Sequence, residues 1–145
     1  YRRSTVERLQ EKISEINLVI ELTDANKKYQ DIIDELVVEI AELDIKLNQT
    51  NEKIATLNKM AEVLINLKSD DPNSRKLARY DFSKLNLTES TSLEHVSEEI
   101  WRLQEKLDRY LDEYESLVRR LETFAKIFNN NKNMYQKFQE NVSVE

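Results

Sequence analysis

The sequence predicts an all-α fold of long helices packed as a coiled coil or helical hairpin bundle, in an oligomer. Three observations lead there. Apolar residues recur at alternating spacings of three and four over most of the chain, the period of a helix with one buried stripe. The 145 residues contain no Gly and a single Pro. Charged residues make up 34% of the chain, as on a helix with a broad solvated face. Without Gly, turns that need positive φ are hard to build, which argues against hairpin-rich β folds and glycine-rich phosphate loops.

The first helix is expected over residues 1–68. Val6, Leu9, Ile13, Ile16 and Ile20 form one seam, followed by the polar positions Thr23 and Lys27. A shifted seam runs from Leu22 through Tyr29, Leu36, Ile40, Leu43, Leu47, Thr50, Ile54 and Leu57 to Leu64. Around its middle the stripe widens to include Ile33, Val37, Val38 and Ile45, which predicts contact with more than one neighbouring helix.

Residues 69–91 are the only non-periodic part and read as a connector. Asp71-Pro72 marks a helix stop and a restart with Pro in the first helical position, so a short helix near Ser74 to Tyr80 is expected. Its hydroxyl residues, Ser74 and Thr88 among them, read first as caps and second as phosphorylation sites.

The second helix is expected over 92–145. Thr91 and Glu94 have capping-box spacing just before it. Its seam is Leu93, Val96, Ile100, Leu103, Leu107, Tyr110, Tyr114, Leu117, Leu121, Phe124 and Phe128, then Asn131, Tyr135, Phe138 and Val142. Trp101, Leu111, Val118 and Ala125 widen it. The run Asn129 to Asn133 has poor helix propensity and predicts fraying or a break there. Bulky rings at successive seam positions favour antiparallel packing, where large side chains meet small ones. The predicted oligomer or partner seam is therefore Leu36, Ile40, Leu43, Leu47, Ile54 and Leu57 on the first helix. On the second it is Val96, Ile100, Leu103, Leu107, Tyr110, Tyr114, Leu117, Leu121, Phe124 and Phe128.

No residue set points to catalysis, a metal or a cofactor. There is no Cys, and His95 is the only histidine, a poor start for a metal site. The many carboxylates lie on solvated helix faces, which offer no pocket for acid–base chemistry. The three N-x-S/T sequons, at Asn48, Asn86 and Asn141, match chance expectation.

Charge completes the reading. The net charge is −6, with 10 basic and 13 acidic residues in 1–68, 4 and 4 in 69–92, and 8 and 11 in 93–145. No stretch is strongly basic, which predicts neither a nucleic-acid nor a membrane partner. The expected function is a non-enzymatic scaffold or tether for protein assembly, of cytoskeletal, chromosome-segregation or tethering type. The alternatives are the arm of a larger ATPase or motor and a membrane-curving helical dimer. The expected partner is a second copy or another coiled-coil protein, with no small-molecule substrate. The expected setting is intracellular, cytoplasmic or nuclear, and the opening Tyr1 suggests a piece of a longer protein.

Overall fold

The computed structural model describes the backbone of residues 2–143 and the side chains of residues 5–140. The chain is all-α. Among the described residues there are three helices and no strand: α1 (Arg2–Asn66), α2 (Pro72–Lys84) and α3 (Leu93–Ser143). Val142 and the Asn141 sequon lie outside the described side chains. The chain divides into two compact units. One comprises Tyr1–Ala41 with Ser116–Glu145, and the other Glu42–Glu115.

The second unit holds most of the core. Leu43, Leu47, Ile54 and Val63 of α1 are buried, as are Ala78 of α2 and Val96 and Leu103 of α3. Val63, at 2% exposure, is the most enclosed large side chain. Thr50 interrupts this apolar set and is also buried, but its hydroxyl donates to the Lys46 carbonyl at 2.8 Å. The bond back to its own helix removes the penalty of an unpaired polar group.

In the first unit, Asn26 Nδ2 donates to the Phe128 carbonyl at 3.2 Å, and the Tyr29 and Phe124 rings lie 6.0 Å apart. A step forward along α1 is thus a step backward along α3, so the two segments are antiparallel here. Among the described residues of this unit, Leu36 and Leu117 are the buried apolar ones.

The structure departs from the sequence expectations in four places. First, α3 runs without a break through Asn129 to Asn133. Phe128, Asn131 and Tyr135 are all half-buried, and packing of that face overrides weak propensity. Second, within this chain the widened stripes are not covered by a further helix. Val37, Val38, Ile45, Trp101 and Leu111 are exposed, while Ile33, Val118 and Ala125 are half-buried. Third, the first seam, Val6 to Ile20, is also exposed at each of its five positions. Fourth, α3 is capped by Ser92, whose Oγ accepts from the His95 backbone N–H at 3.1 Å. The Thr91 hydroxyl turns back instead to accept from the Thr88 N–H at 3.3 Å, so the Thr91–Glu94 capping box does not form.

Truncation at the core should separate buried from exposed apolar residues. Leu43→Ala, at a site 4% exposed, is expected to cost about 2–5 kcal/mol. Trp101→Ala, at a site 62% exposed, is expected to stay within about 0.5 kcal/mol of the parent. Urea unfolding followed by circular dichroism measures both, and similar costs at the two sites would overturn the burial pattern.

Candidate nucleic-acid interface

The connector builds a helix whose two faces differ in kind. Asp71 is the N-cap of α2: its Oδ1 accepts from the Asn73 N–H at 3.2 Å and its Oδ2 from the Ser74 hydroxyl at 2.9 Å. Pro72 follows at the first helical position, where its missing N–H costs nothing. These two hydrogen bonds, Ser74 first and Asn73 second, hold the Asp71 carboxyl below the usual carboxylate range. Arg75 locks the entry further, donating from Nη1 to the Ser69 carbonyl at 2.9 Å.

The exit is a left-handed turn without glycine. Asn86 takes φ of 56°, the Leu87 N–H donates to the Phe82 carbonyl at 3.2 Å and the Asn86 N–H to the Ser83 carbonyl at 3.3 Å. This is the Schellman pairing, with Asn in the place Gly usually takes. Phe82 and Leu87, which commonly touch in this motif, are both half-buried.

On the inner face of α2, Ala78 is buried at 3% exposure, and Asp81 and Phe82 are half-buried. The Asp81 carboxylate lies 3.7 Å from Lys59 Nζ of α1. The outer face carries Lys76, Tyr80 and Lys84, four residues apart and hence on one row. Arg79 and Leu77 flank it. Tyr80 is 63% exposed and Leu77 62%. The Lys84 ammonium sits 5.7 Å from the centre of the Tyr80 ring. Within α2 the basic residues Arg75, Lys76, Arg79 and Lys84 face a single acid, Asp81, in a chain whose net charge is −6. Among the described residues neither Lys76 nor Arg79 pairs with a carboxylate. The outer face of α2 is therefore cationic, with an aromatic ring at its middle.

A second concavity lies within the first unit. It is a groove of about 570 Å³ lined by Leu22, Asn26, Phe128, Lys132 and Tyr135 among others. Its floor includes Asn26 Oδ1, buried and without a hydrogen-bond partner among the described residues.

The sixteen seam residues named from the sequence are placed as follows. Leu36, Leu43, Leu47, Ile54, Val96, Leu103 and Leu117 are buried. Ile40, Leu57, Ile100, Leu107, Tyr110, Tyr114, Leu121, Phe124 and Phe128 are half-buried. Within this chain the seam thus contributes to the interior at all sixteen positions, fully at seven and partly at nine. His95 is exposed, with Nδ1 3.9 Å from the Glu98 carboxylate. Among the described residues there is no group of three or more potential metal ligands, and no helix is long and apolar enough to cross a membrane.

Residues 7–130 match the family described as the C-terminal helical hairpin domain from relaxase. The chain belongs to this family. No curated protein and no solved structure matches it. The family assignment overturns the reading as a cytoskeletal, chromosome-segregation or tethering scaffold, together with its motor-arm and membrane-curving alternatives. It also overturns the exclusion of nucleic acid from the expected partners, because the setting of a relaxase is DNA processing. The relaxase family is enzymatic, and the match is to a helical part of it that by itself carries no assigned catalysis. The physical reason for the error lies in how charge was counted. Over 69–92 it sums to zero, yet Asp71 is spent on a cap and Asp81 on Lys59, while Lys76, Arg79 and Lys84 are exposed. Helical spacing applied to Lys76, Tyr80 and Lys84 would have found that face.

Removing the cap should loosen α2 selectively. Asp71→Ala is expected to lower amide protection at Asn73 to Arg75 in hydrogen exchange, while the α1 and α3 amides keep theirs. The carboxyl is held low in the folded state, so its stabilisation is complete above the ordinary Asp pKa of about 3.9. It is lost as pH falls through the lower folded value. The parent should thus come to resemble the variant only in acid, and equal protection of both at neutral pH would overturn the cap.

Proposed function

We propose that the chain is the helical accessory part of a relaxase-related protein that processes DNA in conjugation, and that it contributes binding and positioning, not bond cleavage. The observation that carries this reading is the family match over residues 7–130, most of the chain. The geometry is in keeping with it. The seam is buried or half-buried within the chain, and a cationic surface of the second unit is displayed on a short helix fixed at both ends. Function in this fold family has to be argued from such a surface, because a helical hairpin by itself serves many processes.

The test is a conjugation assay with a relaxase that carries this domain. Deleting the part that corresponds to residues 7–130 is expected to lower plasmid transfer clearly, while nicking of an isolated origin oligonucleotide by the remaining protein persists. Transfer at the parental frequency would sink the proposal.

A further inference from the structure

We propose that the outer face of α2 binds single-stranded DNA, with Tyr80 stacking on a base and Lys76, Arg79 and Lys84 holding the phosphates around it. The inference deepens the reading above and rests on it for the choice of DNA over RNA. The local chemistry is independent of that reading.

Four observations support it. The first is a local reversal of charge. A chain of net charge −6 concentrates four cations against one acid in the thirteen residues of α2. The single acid is already engaged by Lys59 at 3.7 Å, which leaves the outer cations uncompensated on their own helix. The second is spacing. Lys76, Tyr80 and Lys84 stand on successive turns, and the row is about 12 Å long. The ring thus has a cation on each side along the helix axis, the order in which a stacked base and its two flanking phosphates are met. The third is exposure. A tyrosine 63% exposed on a helix that has an inner face available is not there for the core. The Lys84 ammonium lies 5.7 Å from the ring centre, which places a positive charge beside the ring for a phosphate. The fourth is rigidity. The N-cap, the Schellman turn and the buried Ala78 fix the helix that displays the row, so little order has to be gained on binding.

The alternatives fit less well. In a duplex the bases are already stacked, so the exposed ring would find no face to cover, whereas a single strand offers one at every nucleotide. Anionic membranes are typically recognised by about four to eight clustered basic residues. Here three lie on the outer face.

Fluorescence anisotropy of the 145-residue chain with a labelled mixed-sequence single strand, at low salt, tests the proposal. Binding is expected, with log K falling against log salt at a slope of about −2 for three phosphates on a single strand. Tyr80→Ala is expected to weaken it by about fivefold or more, and Tyr80→Phe to restore it. Lys76→Glu, Arg79→Glu and Lys84→Glu together are expected to abolish it. Each side chain is exposed, so circular dichroism should confirm that every variant keeps the parental helix content. No binding at low salt, or binding that these variants leave unchanged, overturns the site. Equal affinity for duplex and indifference to Tyr80→Ala overturns single-strand recognition. Preference for anionic vesicles over the oligonucleotide overturns the nucleic-acid class. If the oligonucleotide binds but transfer survives deletion of the domain, the function proposed above fails and this contact stands. If deletion stops transfer but no oligonucleotide binds, only the contact fails.

Discussion

Everything in the second unit depends on reversing the chain once, tightly and without glycine. An apolar stripe on α1 is of little use until a second stripe is brought back against it, because burial and not propensity supplies most of the stability of such helices. The reversal is made by a helix instead of a loop. Asp71 and Pro72 start it, Asn86 accepts the left-handed backbone that ends it, and Ser92 begins α3. Ala78 is the hinge pin of this arrangement. Its small side chain lets α2 sit close, and the Lys59–Asp81 pair ties α2 to α1.

The same construction separates the faces of α2 by chemistry. Groups that satisfy the fold point inward or to the helix ends: the caps, the methyl of Ala78, the carboxylate of Asp81. What remains outward is what the fold does not use, namely Lys76, Arg79, Tyr80 and Lys84. A surface left over in this way is free to be set by function, and it is the most distinctive chemistry the unit displays. Elsewhere the exposed charges are mixed in sign, as in the Glu99–Arg102 pair on α3, where Arg102 Nε donates to a Glu99 oxygen at 3.1 Å. Pairs of that kind hold their partners in place and leave little field for a ligand.

Helix type and burial were legible in the sequence because they follow from periodicity. Every one of the sixteen seam positions, from Leu36 to Phe128, is buried or half-buried. What the spacing could not convey is which chain does the burying. The stripe that reads as an oligomer seam is buried at seven positions and half-buried at nine within this one. The widened stripe failed for a related reason: Val37, Val38 and Trp101 are apolar at helical spacing, yet nothing in this chain faces them. The Asn-rich run misled because propensity is a weak prior beside the packing of Phe128 and Tyr135. The candidate interface was hidden by summation. Charges that cancel over a segment do not cancel in space when one sign is used by caps and bridges and the other is not.

The position of α2 between the two long helices has a kinetic consequence. Lys59 and Asp81 close a loop of only 22 residues, whereas Asn26 and Phe128 are 102 apart. The entropy of closing the longer loop from the unfolded chain exceeds that of the shorter by about 1.4 kcal/mol. Once the α2 end has formed, however, each later pairing between α1 and α3 closes only a few further residues. Closure entropy therefore favours the connector end as the first to form, and that is the end the caps of α2 stabilise.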